Sequence, residues 1–151
     1  MPRRHTFRTT IELPVPRERV FPFFADAANL EVITPPELSF RIVTPRPVEM
    51  AEGALIRYRL RLIRLPFGWL TRIAVWNPPH AFVDEQLEGP YRVWIHTHRF
   101  TETTRGTRID DEVNYELPLF PIGEVAAPIV HLQVRRIFVY RAGAIRRALN
   151  C

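Results

Sequence analysis

Apolar and polar positions alternate loosely over residues 6–14, with Phe7, Thr9, Ile11 and Leu13 on one side, which predicts a strand stopped by Pro14 and Pro16. Over 17–25, Val20, Phe21, Phe23 and Phe24 fit a short amphipathic helix. Asp26 is placed to cap a second one running to about Ile33, ended by Thr34-Pro35-Pro36. From there to about 118 the period becomes two, predicting strands near 38–44, 54–64, 69–77, 80–88, 91–102 and 107–117. Turn signals separate them at Glu52-Gly53, Pro66-Phe67-Gly68, Asn77-Pro78-Pro79, Gly89-Pro90 and Thr103-Thr104-Arg105-Gly106. The stretch 122–149 reads as one long helix. Ala127, Val130, His131, Val134, Ile137, Phe138, Ala142, Ile145 and Leu149 fall on its apolar stripe, with Arg135, Arg136, Arg146 and Arg147 opposite.

Connections this short force antiparallel neighbours. A strand, two short helices, six further strands and a terminal helix specify an α+β fold: a curved antiparallel sheet of about seven strands, covered on one face by the long helix. No linker, repeat or low-complexity tract interrupts the chain, so a single domain over 1–151 is expected.

Hairpin register tells which side chains look inward. Pairing Glu102 with Thr107 sets Phe100 opposite Ile109, His98 opposite Asp111, His96 opposite Val113 and Trp94 opposite Tyr115, all on one mainly apolar face. Pairing Leu65 with Gly68 sets Leu60 opposite Ile73 and Tyr58 opposite Val75, with Arg61 beside Arg72 outside. A tight Gly89-Pro90 turn brings Val83 and Glu85 inward, whereas a bulge at Pro90 brings Phe82, Asp84 and Gln86 inward instead. Both choices are open at this point.

Hydrophobic residues make up 46% of the 151 and charged residues 25%, which excludes wholesale disorder. The net charge of +5 first points to nucleic acid or an anionic surface. Its distribution removes that reading: residues 1–10 carry +3, residues 124–151 carry +4, and the intervening body carries −2. Arg57, Arg59 and Arg61 lack the interleaved aromatics of a nucleic-acid face. The lone Cys151 excludes an internal disulfide and any cysteine-based metal site. No apolar run reaches the length of a membrane span and no secretory signal stands out, so the expectation is a cytoplasmic protein without stable membrane insertion.

Phe82-Val83-Asp84-Glu85-Gln86, Gly89-Pro90-Tyr91, Trp94-x-His96-x-His98-x-Phe100, Gly106-Thr107, Asp111, Val113-x-Tyr115 and Phe138-x-Tyr140-Arg141 together resemble the SRPBCC superfamily. More narrowly, the chain resembles its bacterial polyketide cyclase/dehydrase-like and ligand-binding members. The resemblance spans Phe7 to about Leu149. It implies a helix-grip fold of the START and birch-pollen-allergen type, in which the sheet wraps the C-terminal helix around a cavity. It implies much less about function, because this superfamily hosts carriers, receptors and enzymes.

Two His on one strand face with Asp111 opposite suit either acid–base chemistry in a dry cavity or a buried polar network that fixes sheet register. A metal held by His96, His98 and either Asp111 or His131 is the weakest reading, so neither metal nor cofactor is expected. Arg141 falls on the apolar side of the helix and needs either an acid, with Asp26, Asp111 and Glu85 as candidates, or an exit to the rim.

The leading expectation is a cavity for an apolar or aromatic small molecule, in a monomer or weak homodimer that binds no nucleic acid. Its wall would comprise Ile56, Tyr58, Leu60, Ile73, Val75, Trp94, Phe100, Val113, Val130, Val134 and Phe138. The polar groups would be His96, His98, Asp111, Tyr115, His131 and Glu85. The rival is a cofactor-independent cyclase or dehydratase with His96, His98, Asp111 and Tyr115 as catalytic candidates. A third expectation is a regulatory or interaction domain whose residual cavity stays below about 300 Å³.

Overall fold

A computed structural model describes Pro2–Cys151. Seven antiparallel strands form one sheet: β1 (His5–Leu13), β2 (Arg41–Ile42), β3 (Leu55–Leu62), β4 (Leu65–Asn77), β5 (Ala81–Glu88), β6 (Val93–Thr103) and β7 (Gly106–Glu116), in the order β1-β7-β6-β5-β4-β3-β2. Helices α1 (Arg17–Ala25) and α2 (Asn29–Ile33) follow β1, while α3 (Ile122–Val125) and α4 (Ala127–Ala148) follow β7. The α+β helix-grip architecture is therefore as expected.

The details depart from expectation at three places. The helix predicted as continuous over 122–149 restarts at Ala127. Pro128 sits in its first turn, where a missing N–H is harmless; inside a continuous helix its ring would clash with the carbonyl four residues back. The strand expected over 38–44 shrinks to Arg41–Ile42, since Pro36–Leu38 coil into one 3-10 turn and Pro45 and Pro47 cannot donate to a ladder.

The β3–β4 hairpin turns earlier than Pro66-Phe67-Gly68. Ile63 and Arg64 take φ of 50° and 66°, and Leu62 pairs with Leu65. Two central residues at positive φ match the twist of the flanking strands, although glycine or asparagine usually fills them. Tyr58 therefore lies opposite Trp69 rather than Val75, Leu60 opposite Phe67 rather than Ile73, and Arg61 opposite Pro66 rather than beside Arg72.

The β6–β7 register is the expected one, including His98 opposite Asp111 and Trp94 opposite Tyr115. Gly106 explains its precision. At φ 152° it passes so close to β1 that an added Cβ would stand 2.1 Å from the Leu13 carbonyl oxygen. One buried cluster joins α1 to Phe82, Phe100 and Ile109; another joins α4, through Val134 and Phe138, to Val113 and Tyr115. Between them the sheet and α4 do not close completely.

Candidate functional site

The gap between sheet and α4 is a cavity of about 120 Å³. Ile56, Leu60 and Ile73 form its aliphatic floor, and Tyr58, Trp69, Tyr91 and Trp94 its aromatic side. Phe138 and Ile137 close it from α4, and Phe23, Phe24, Asp26 and Leu30 from the α1–α2 segment. Tyr58 and Trp69 stack at 5.7 Å with 20° between planes, and Trp94 meets Trp69 edge-on at 5.4 Å, so the aromatic end is a flat slot.

The polar end holds a closed arrangement of two imidazoles and two carboxylates. His96 and His98, each 4% exposed, lie with ring centroids 3.6 Å apart. His96 Nε2 donates to Asp111 Oδ1 at 2.8 Å, and His98 Nε2 donates to Asp84 Oδ2 at 2.6 Å. The remaining nitrogens lie across the square, His98 Nδ1 at 3.2 Å from Asp111 and His96 Nδ1 at 3.7 Å from Asp84.

Burial alone would raise both carboxyls, but the imidazoles reverse this and hold Asp84 and Asp111 below the usual carboxylate range. Burial, with the neighbouring His98 charge, lowers His96. Burial also opposes the His98 cation, but hydrogen bonds to Asp111 and Asp84 outweigh it and raise His98. The charged form is thus favoured for both carboxyls, and the His98 cation is favoured over that of His96. Asp84, His96 and His98 bring donor atoms within 4.8 Å of one another, the grouping a divalent cation would need. Those of His98 and Asp84 are already bonded to each other, while His98 Nδ1 is buried without a hydrogen-bond partner.

Asp84, not Glu85, faces the cavity. The β5–β6 connection spans Gly89–Arg92, with Asp84 opposite His96 and Phe82 opposite His98. That one-residue difference from a tight turn reverses the face of every β5 side chain. Gln86 secures it, its amide donating to the Tyr91 carbonyl while its oxygen accepts from the Tyr91 N–H. Glu85 pairs with Arg72 on the outer face.

Other expected residues fall elsewhere. Val75 is 43% exposed, because bulges in β4 turn it outward. Phe100 packs against Phe21 and Phe24, one layer away from the cavity. Val113 and Val134 are buried core beside it, and Val130 lies at the core's edge. Asp111 sits behind the two His rather than in the wall. Tyr115 and His131 are separated from the His pair. The Tyr115 hydroxyl meets His131 Nδ1 at a different recess, shared with His5 and Glu124, and burial, with Glu124 nearby, pushes that hydroxyl up to about 12. The metal set completed by His131 is thereby excluded.

Trp69, Thr71, Tyr91 and Phe40 are wall residues that hydrophobic alternation missed. The predicted hairpin register set Trp69 and Thr71 next to the turn, whereas they lie opposite Tyr58 and Ile56 in mid-sheet. Arg141 also reaches the cavity, with its guanidinium carbon 5.0 Å from the Phe138 ring centroid.

No family model and no curated protein matches the sequence. Solved structures do match in shape. The protein TTHA0849 from Thermus thermophilus superposes with a TM-score of 0.75 at 19% identity, covering 95% of this chain and 99% of that one. A START superfamily protein from Mycobacterium smegmatis gives 0.68 at 12% identity, over 95% and 99%. Major latex-like protein 151 from Panax ginseng gives 0.66 at 8% identity, over 96% and 97%. At such identities the likeness establishes the helix-grip fold. No helix among the described residues is long and apolar enough to cross a membrane.

Proposed function

We propose that the protein binds a small apolar or aromatic molecule in the cavity between sheet and α4. The observation that carries this reading is the cavity's composition: aliphatic and aromatic walls with a few convergent polar groups at one end. Its volume limits the occupant. A dry protein cavity of roughly 150 Å³ accepts benzene, so about 120 Å³ suits a single ring or a short branched chain. Larger ligands require α1–α2 to move away from α4.

Native mass spectrometry of the purified chain tests this. The expected result is a mass excess of a small molecule that disappears on denaturation. A bare chain that also takes up no single-ring probe supports instead a regulatory or interaction domain with a residual cavity, a reading the small volume favours.

The two His–carboxylate bonds beside the apolar slot support a second reading, proton transfer on a bound carbonyl compound. A carboxylate orients an imidazole and supports its charge. In this reading His96, whose cation burial disfavours, accepts the proton and His98 polarises the oxygen; Tyr115, on β7 with its hydroxyl on His131, takes no part. His96→Gln abolishing turnover while leaving affinity intact is its signature.

A further inference from the structure

We propose that the occupant of the cavity is a monocarboxylic acid, a single aromatic or apolar ring whose carboxylate pairs with the Arg141 guanidinium. This rests on the small-molecule reading above and narrows it to a chemical class. Arg141 is a wall residue of the cavity, its Nε is buried without a partner, and no carboxylate lies within 4.0 Å of its nitrogens among the described residues. The acids that could have paired with it are engaged elsewhere. Asp26 accepts the Ala28 N–H at 3.0 Å, Asp111 holds the two His, and Glu85 is on the outer face with Arg72. Asp84 acts on Arg141 only at longer range, and its Oδ2 is bonded to His98.

A cation in an apolar slot without a close partner is costly. A lysine there would escape by losing its proton, but a guanidinium stays charged, and Asp84 offsets it only at longer range, which leaves room for a closer counter-charge brought by a ligand. The planar fork of Arg141 matches a carboxylate in two parallel hydrogen bonds. Phe138 beneath the guanidinium and the Tyr58–Trp69 slot then receive the ring. Asp84 in the same wall disfavours a ligand of charge beyond minus one. A dianionic phosphate would meet its repulsion with one arginine to offset it, and a neutral or cationic ligand would leave Arg141 bare.

Calorimetric titration of the full chain with benzoate, benzamide and toluene tests the assignment. Benzoate should bind between about ten- and a hundredfold more tightly than benzamide, the range of one charge-assisted contact. Arg141→Gln should abolish that preference while leaving toluene affinity within about twofold, and Arg141→Lys should restore only part of it. Arg141→Gln should also leave the ligand-free protein at least as resistant to urea as the parent. A loss of stability would mean that Arg141 serves Asp84 structurally, and would overturn the proposal. Equal affinity for benzoate and benzamide, or a preference that survives Arg141→Gln, would overturn it as well. Toluene binding without benzoate binding sinks the carboxylate assignment alone, whereas no binding of any probe sinks the cavity reading and this proposal together.

Discussion

Asp84 on β5 and His98 on β6 are joined by a 2.6 Å hydrogen bond that runs diagonally across the sheet, since the residue directly opposite Asp84 is His96. Asp111 closes the arrangement from β7, taking His96 at 2.8 Å. Three strands are thereby tied together at the polar end of the cavity. Asp111→Asn should cost about 3–5 kcal/mol, because it removes the charged partner bonded to the buried His96. Urea denaturation checks it; a loss below about 1 kcal/mol would show that the square is not a structural unit.

The same residues set the acid limb of stability. Asp84 and Asp111 titrate lower in the folded chain than unfolded, so below the ordinary carboxylate value near 4 the unfolded chain binds more protons. Stability is present above that value and falls as pH drops through it. His98, raised, adds stability that is full below about pH 6.5 and fades as pH climbs through its folded value; His96, lowered, acts in the opposite sense below pH 6.5. The two histidine effects act on opposite sides of pH 6.5, so a urea midpoint series from pH 8 to 3 should peak near that value, decline gently to either side and drop further below about pH 4. Asp111→Asn should flatten the drop.

Ile73 and Val75, two residues apart on β4, should behave differently. Ile73 is 1% exposed in the cavity floor, and Ile73→Ala should cost about 2–5 kcal/mol. The same variant should gain affinity for naphthalene relative to toluene. Val75→Ala should stay within about 0.5 kcal/mol and leave binding unchanged. Equilibrium unfolding and titration of the two variants decide it.

Tyr115→Phe removes the hydroxyl that meets His131 and should cost about 1 kcal/mol. Affinity for cavity ligands should not change, because that hydroxyl is bonded to His131, which lines the other recess. A weakened cavity ligand would join the two sites.

The residues explain why some of this was legible in the sequence and some was not. The face shared by Trp94, His96, His98 and Phe100 follows from the Thr103–Gly106 turn, whose glycine sits where no side chain fits. Alternation alone cannot choose a face for β5, since one residue more in the Gly89–Arg92 connection exchanges Glu85 for Asp84; the Gln86–Tyr91 clamp that decides it is a tertiary contact. The β3–β4 hairpin was misread because Ile63 and Arg64 occupy a turn conformation their side chains disfavour, while Pro66-Phe67-Gly68 looks like a turn and is strand. Helical spacing set Arg141 on the inward side of α4, but only the structure removes Asp26, Asp111 and Glu85 as its partners.

Whether the space between sheet and α4 takes up a ligand is decided by an NMR titration of the isotope-labelled chain with toluene. Saturable shifts are expected, confined to the methyl groups of Ile56, Leu60 and Ile73 and the indole N–H groups of Trp69 and Trp94, with Val75 unmoved. Shifts that never saturate, or that gather on the exposed apolar residues Leu119, Ile122 and Val125, would contradict a ligand cavity at this place.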